Sequence, residues 1–514
     1  MDLSTTRKSS GTARSSSGDA SAQTSQSAKL RGKTKAKSKA KPPKRPPQYP
    51  KQLIAFMMKE WAERPALSLE PIANAESFAA RRRALSKAFP GEVLIIPTGH
   101  EKVRSNDTTF RFRPGSDFFY LTGNLEPDCV LVMVPRGGKK RGHTDVLFVE
   151  PNNGRSDKTF FTDHAKGELW VGARLGVPES RARFAIDECL GLPDLEPFIK
   201  KAGKKRRVLR GFSPRVERFV RADGTKGVKK DAELAEVLSE ARLLKDDLEI
   251  AELQKVVDGT QRAFEDVIRE LRTATNEREV EGTFNKRARV EGNDCGYGTI
   301  AASGANACIL HWTRNDAKLD KSTLLLLDAG IEGHALYTAD ITRTLPISGK
   351  FSPEQREVYD LVEASQAAAF KAAKPGNDFM EPNRAAQRVL AEGLVKMGIL
   401  QDAEHALDKE RQLQRRYTLH NVSHMLGIDV HDCAKARQEV YRYGKLKPGM
   451  VLTIEPGLYF QPDDLTVPEK YRGIGVRIED DILITENGMR NLSDSIPRTS
   501  EDVEAWMRAV WARA

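Results

Sequence analysis

The chain has 514 residues, 39% of them hydrophobic and 30% charged, with a net charge of +11. That length suits two or three domains rather than one core, no run approaches the length of a membrane span, and the N-terminus lacks the apolar stretch of a secretory signal. Five cysteines, odd in number, widely spaced and without a Cys-x-x-Cys, argue against a disulfide scaffold and for a reducing, cytoplasmic setting.

Residues 1–50 form a tail. They hold twelve Lys/Arg against Asp2 and Asp19, which accounts for ten of the eleven net charges and leaves a body of 464 residues nearly neutral. Residues 1–28 are rich in Ser, Thr, Ala and Gly, residues 29–41 repeat Lys with small spacers, and 42–50 are proline-dense. Such a segment buries too little apolar surface to offset its ordering entropy, which predicts disorder. The favoured reading is a solvated, non-catalytic extension. The alternative is a tether to nucleic acid or an anionic membrane face, although no aromatic residues are interleaved for base stacking.

Residues 51–235 read as an α/β domain. Helices are predicted over 52–63 and Ala75–Phe89, the second ending at Pro90-Gly91. Strands follow at Glu92–Ile96, Cys129–Val134 and Thr144–Val149. The lysines and arginines crowding 200–210 and 225–230 read as solvated faces or loops. From Asp246 to Leu271 apolar residues recur at helical spacing behind an acidic first turn, so a long amphipathic helix opens a second domain, residues 236–514. Helices 355–373 and 380–397 then interleave with strands 324–329, 339–345, 451–455 and 474–485. A last helix, Ser500–Arg513, is read as capped by Ser500.

Four carboxylates of this second domain stand in segments otherwise built of Leu, Ile, Val and Gly. Asp328 closes Leu324–Leu327, Asp340 opens Ile341–Thr344, Glu455 ends Val451–Ile454, and Glu479 lies within 476–484. A buried carboxylate is costly unless a cation or strong donors compensate it. Alone, each reads as a cap, turn or surface residue; the set argues for a shared positive charge. Asp328 and Asp340 are twelve positions apart, a separation that two antiparallel strands fold back to near contact. By alternation Arg477, Glu479 and Asp481 share one face of their strand. His420, His424 and His431 fall within twelve residues, and the His420/His424 pair resembles half of a zinc-protease helix without its Glu. Four carboxylates balance two divalent ions, and such a pair lets a bridging hydroxide form near neutral pH. Oxygen-rich ligation with one imidazole favours Mn, Co or Zn over Cu. The expected reaction is amide hydrolysis.

Several motifs carry a family resemblance. They are Cys308-Ile309-Leu310-His311-Trp312, Leu327-Asp328-Ala329-Gly330, Ala339-Asp340-Ile341-Thr342-Arg343-Thr344, Ser423-His424-Met425-Leu426-Gly427, His431-Asp432, Thr453-Ile454-Glu455-Pro456-Gly457 and Gly475-Val476-Arg477-Ile478-Glu479. In this order they resemble the pita-bread metallopeptidases of family M24B, in their Xaa-Pro aminopeptidase (aminopeptidase P) branch. Arg104-Ser105-Asn106-Asp107, Gly115-Ser116-Asp117 and Glu168-Leu169-Trp170-Val171-Gly172 resemble that branch's N-terminal domain.

The resemblance implies an α/β (α+β) chain: an aminopeptidase P N-terminal domain before a pita-bread catalytic domain. It implies removal of the N-terminal residue from peptides whose second residue is proline, by a hydroxide bridging two metal ions, manganese first among them. By position, Asp328 would chelate one ion, Asp340 and Glu479 would bridge both, and His424 and Glu455 would complete the second, Glu455 also handling protons. His431 would hydrogen-bond the scissile carbonyl with His420 nearby, and His311 would line the proline pocket. Tyr459 and Arg477 would orient the cluster, with Tyr297 beside it. Trp170 would reach a neighbouring subunit's active site, which implies a homo-oligomer, dimer or tetramer; from the residues alone Trp170 reads as core. His420-Asn421 departs from the family's usual His-Gly. The alternatives are an Xaa-Pro dipeptidase (prolidase) and a metal-free pita-bread binding or scaffold protein.

Overall fold

The computed structural model describes residues 49–62, 70–137, 142–152, 154–221 and 224–513. The predicted disorder of the tail falls on residues 1–48, outside them. The helix expected over 52–63 spans only Lys51–Met57. It buries no residue, so no packing extends it, and the chain turns left-handed at Glu60 (φ 58°).

The N-terminal α/β part is built on a five-stranded mixed sheet. Its order is Glu188–Gly191, His143–Val149, Val130–Pro135, Val93–Pro97 and Arg206–Val208. Val93–Pro97 runs antiparallel to Val130–Pro135 and parallel to Arg206–Val208. Its residues are all buried because both faces are covered. Leu94 and Ile96 join the core shared with helix Ala75–Ala88, whereas Val93 and Ile95 pack against Leu195 and Ile199 on the other side. The basic crowd beyond this sheet is largely exposed, as solvated faces of the strand Arg206–Val208 and of the helix that starts at Gly224, with Arg207 the buried exception. Lys204, Lys205, Arg206, Arg210, Lys226 and Lys230 border one cavity, and Arg207 is buried between Glu92 at 3.1 Å and Glu233 at 2.8 Å.

Helix Gly224–Ala241 leads into helix Asp247–Glu270, which starts on a capping box formed by Asp246 and Glu249. Leu253, Val256, Val257, Phe264, Val267 and Ile268 form its buried stripe. Four small sheets follow among the described residues: Ile341–Pro346 with Leu324–Ala329 and Ile300–Ser303; Ile331–Glu332 with Asp294–Cys295; Val451–Ile454 with Asp480–Thr485 and Gly488–Asn491; and Gly457–Tyr459 with Gly475–Arg477. The strand expected over 474–485 is therefore two. Its ladder breaks at Ile478 and Glu479, because the Glu479 N–H donates to the Thr342 carbonyl at 3.1 Å and ties one sheet to the next. Helices Pro353–Ala372 and Glu381–Lys396 cover the outside. The last helix, Ser500–Ala512, is capped by Thr499 rather than Ser500: the Asp502 N–H donates to Thr499 Oγ1 at 3.2 Å, while Ser500 Oγ accepts from Arg356. Among the described residues no helix is long and apolar enough to cross a membrane.

Candidate metal centre

Asp328 and Asp340 meet because their strands fold back on each other with Asp328 opposite Thr342. The turn demands Gly330, since a Cβ there would collide with the Ala339 carbonyl. The Tyr297 hydroxyl sits between the two carboxylates, 2.7 Å from Asp328 Oδ1 and 2.5 Å from Asp340 Oδ1.

His424 is placed without a helix. Residues 418–426 form no helix, so the likeness of the His420/His424 pair to half of a zinc-protease helix ends at the spacing. The segment instead runs beside Val451–Ile454, with the His424 carbonyl accepting from Thr453 N at 3.0 Å and the Val422 carbonyl from Glu455 N at 2.8 Å. In an extended chain residues four apart also share a side, which brings both imidazoles to Glu455. His424 Nε2 lies 3.6 Å from Glu455 Oε1 and 3.3 Å from Asp340 Oδ2; His420 Nδ1 lies 3.5 Å from Glu455 Oε2.

Glu479 and Arg477 arrive on the broken strand. Arg477 Nη2 bonds Asp328 Oδ2 at 2.5 Å, Nη1 donates to the Tyr459 hydroxyl at 2.9 Å, and Nε donates to Thr342 Oγ1 at 3.3 Å. The Thr342 hydroxyl donates to Glu479 Oε2 at 2.7 Å. Beneath them Arg343, fully buried, pairs with Asp480 at 2.8 Å and donates to the Glu479 carbonyl at 2.7 Å. Thr342, Arg343 and Asp480 escaped the sequence reading. Arg343 lacks the signal that picked out Asp328, because Thr342 and Thr344 flank it where four leucines precede Asp328.

All five expected ligands border one cavity of about 550 Å³ together with Tyr297, His311, His420, His431 and Arg477. Ligand atoms of Asp340, His424 and Glu479 lie within 4.8 Å of one another. His311 and His431 are exposed at the mouth, and the His431 ring meets that of His424 edge-on at 4.4 Å. Trp170 is elsewhere and is not core. It stands half-exposed on the short helix Glu168–Val171, stacked on His164 at 4.0 Å, with Leu169 and Val171 exposed beside it.

The charges are out of balance. Four carboxylates converge on a single guanidinium. Burial drives the carboxyl of Glu455 up to about 8, with His424 opposing and Asp340 reinforcing the rise. Burial and the neighbouring Asp340, Glu455 and Asp328 charges push Glu479 well above the carboxylate range. Burial would lower His424, but its bond to Asp340 and the Glu455 charge outweigh that and hold it up at about 9. Groups this strained toward protonation suit a divalent cation, which takes the place of the protons. The donor set fits one: Nδ1 of His424 faces the Met425 carbonyl at 3.2 Å, leaving Nε2 turned toward Asp340 and Glu455.

Comparison with known proteins agrees with this geometry. The family model for metallopeptidase family M24 matches residues 251–486, and that for the aminopeptidase P N-terminal domain matches residues 78–209. Xaa-Pro aminopeptidase 1 of Streptomyces coelicolor is 52% identical over 462 residues, 89% of this chain and 92% of its own. Xaa-Pro aminopeptidase of Escherichia coli is 35% identical over 450 residues, covering 84% of this chain and 98% of that one. The structure of Escherichia coli aminopeptidase P with the inhibitor Pro-Leu matches with a TM-score of 0.76 at 34% identity, over 86% of this chain and 99% of that one.

Proposed function

We infer the reaction from a chain that belongs to metallopeptidase family M24, in its Xaa-Pro aminopeptidase (aminopeptidase P) branch: metal-dependent hydrolysis of the bond between an N-terminal residue and a following proline. The observation that carries this reading is the convergence of four carboxylates and His424 on one cavity. We assign Asp328, Asp340, His424, Glu455 and Glu479 as ligands of two divalent ions, with manganese the proposed ion and cobalt or zinc the alternatives. Such a pair supplies Lewis acidity and an acidified water.

The protein's own groups do the rest. The leaving nitrogen of any amide needs a proton as the C–N bond breaks, and that of an Xaa-Pro bond, a tertiary amide, departs as a secondary amine. Glu455, within reach of both imidazoles, is the group assigned to carry it. His431, free at the mouth, donates to the scissile carbonyl oxygen, where negative charge grows. His311 and Leu310 border the same cavity and supply the wall for the proline ring.

His420 is kept neutral: burial and the Arg477 charge lower it to about 4. Its Nδ1–H donates to the Asn421 carbonyl at 2.9 Å, so Nε2 accepts from the Tyr459 hydroxyl at 2.7 Å, which itself accepts from Arg477. Asn421 thus serves by its backbone, which any residue supplies. This chain fixes Arg477 against Asp328 and holds the cluster's shape.

The remaining assignments belong to the same reading. The N-terminal domain is placed at 51–235 and the catalytic domain at 236–514. Exposed Leu169, Trp170 and Val171 support a homo-oligomer in which that face is covered. Five free thiols support a reducing, cytoplasmic location. Steady-state assays on matched Xaa-Pro-Yaa and Xaa-Pro peptides with added manganese test the activity. Cleavage of the longer peptide to free Xaa is expected; cleavage of the dipeptide alone would make the protein a prolidase, and cleavage of neither would refute the reading.

A further inference from the structure

The loop Gly427–Asp432 carries His431 and has no regular secondary structure of its own. Two of its bonds are internal to the site's surroundings: Thr338 N donates to the Gly427 carbonyl at 3.0 Å, and Asp432 N donates to the Met425 carbonyl at 2.9 Å. Between those anchors the loop is gripped by the N-terminal part. Arg113 Nη2 donates to the Ile428 carbonyl at 2.6 Å, and Ser116 Oγ donates to Asp429 Oδ1 at 2.6 Å. Arg113 Nη1 also donates to Ser116 Oγ at 3.1 Å, so the two act as one unit. The other edge of the same guanidinium bonds Glu332 at 2.5 Å, four residues beyond Asp328. One planar cation therefore spans the loop of His431 and the segment that continues from a metal-site aspartate.

The segment making this grip has little room to move. A Cβ on Gly115 would meet the Phe212 ring and the Thr98 carbonyl, so the chain between Arg113 and Ser116 is packed against its own domain. From below, Arg242 faces Asp429 at 3.4 Å and Asp432 at 3.3 Å, and Lys245 pairs with Asp432 at 3.1 Å. The residues on either side of His431 are thus pinned, while His431 itself stays exposed.

We propose that Arg113 and Ser116 are positioning residues for catalysis: the N-terminal domain sets where His431 stands relative to the scissile carbonyl. Neither residue borders the cavity of the metal ligands. The inference rests on the role assigned to His431 under the proposed function and adds a working purpose to the first domain. A misplacement of about 1 Å at such a group costs up to about a hundred-fold in rate, and loosening a loop from two of its hydrogen bonds is a perturbation of that kind.

The test is a double-mutant cycle on the full, manganese-loaded enzyme. Arg113→Ala and Ser116→Ala are each measured alone and on a His431→Ala background, with enzyme concentrations high enough to read residual turnover of an Xaa-Pro-Yaa peptide. The expected result is a kcat loss of about ten-fold or more for Arg113→Ala, a smaller loss for Ser116→Ala, KM within about three-fold, and bound manganese unchanged. On the His431→Ala background both losses should shrink to less than about two-fold, because the group they position is gone. Arg113→Lys, which keeps the charge but not the fork, should recover only part of the loss. Undiminished losses without His431 would overturn the proposal, as would depleted manganese, since either would mark a general structural role. If Arg113→Ala does not fold, Ser116→Ala and Arg113→Lys carry the cycle. An inactive wild-type enzyme would instead sink the functional reading on which this rests.

Discussion

Removing the metal should make the protein's stability fall as pH rises, and Glu455 gives the size of the effect. A carboxyl raised from 4.5 to about 8 disfavours its ionised form by about 5 kcal/mol, at 1.36 kcal/mol per pH decade. That is comparable with the whole stability of a typical domain, about 5–15 kcal/mol. The native state then holds a proton that the unfolded chain releases above its ordinary pKa, so stability is lost between 4.5 and about 8. His424 acts in the same direction: raised from 6.5 to about 9, its contribution is complete below 6.5 and disappears as pH climbs through about 9. Bound cations reverse the dependence, because they require the ionised carboxylates and the neutral imidazole. The assay is thermal melting of chelator-dialysed full-length protein from about pH 5 to about pH 9, repeated with saturating manganese and with Glu455→Gln. The melting temperature of the stripped protein should fall steadily across that range, the Gln variant should show a shallower fall, and manganese should stabilise most at the alkaline end. A flat profile for the stripped wild type, or an identical slope in the variant, would show that Glu455 does not hold a proton in the metal-free native state.

Asp340→Asn should lower turnover of Xaa-Pro-Yaa peptides by roughly a thousand-fold or more and weaken manganese binding in a calorimetric titration, since one carboxylate shared by the cluster loses its charge. Tyr459→Phe removes the hydroxyl linking Arg477 to His420 and leaves both nitrogens unpaired; a stability loss of about 1–3 kcal/mol by denaturation and a kcat loss of about ten- to a hundred-fold are expected. Gly330→Ala should lower the melting temperature and the amount of bound manganese together, because the new methyl must displace the Ala339 carbonyl next to Asp340. Glu277→Gln tests the acid side. Burial would raise Glu277, but hydrogen bonds from Asn306, Ser303, Trp312 and Ala317 outweigh it and hold it below its ordinary 4.5. Its contribution is therefore present above about pH 4.5 and fades as pH falls through the depressed value, so melting curves of wild type and variant should differ most near neutrality and converge in acid.

What the sequence disclosed follows from the range over which each feature is determined. The Asp246 cap and the apolar stripe behind it are local, and both stand where the pattern puts them. The Asp328–Asp340 pairing needs only a short connection and a two-residue alternation, and it too was readable. The break at Glu479 was not, because its cause is the Thr342 carbonyl, which lies far away along the chain. The family resemblance brought His424 and His420 to the cluster, and their spacing of four could not tell how they reach it, since it serves a helix and an extended strand alike. Trp170 misled in the usual direction for an aromatic residue: a four-residue helix has too little surface to bury it, and it stands 51% exposed. The grip of Arg113 on the His431 loop joins residues more than three hundred positions apart, beyond any periodicity argument.

The proposed dinuclear centre would occupy the cavity between Asp328, Asp340, His424, Glu455 and Glu479. Anomalous diffraction from crystals of the manganese-loaded protein measures this directly. Two scattering peaks per chain are expected inside that cavity, against the ligand atoms of Asp340, His424 and Glu479 that lie within 4.8 Å of one another. Peaks at other residues, or none at this cavity in an active preparation, would contradict it.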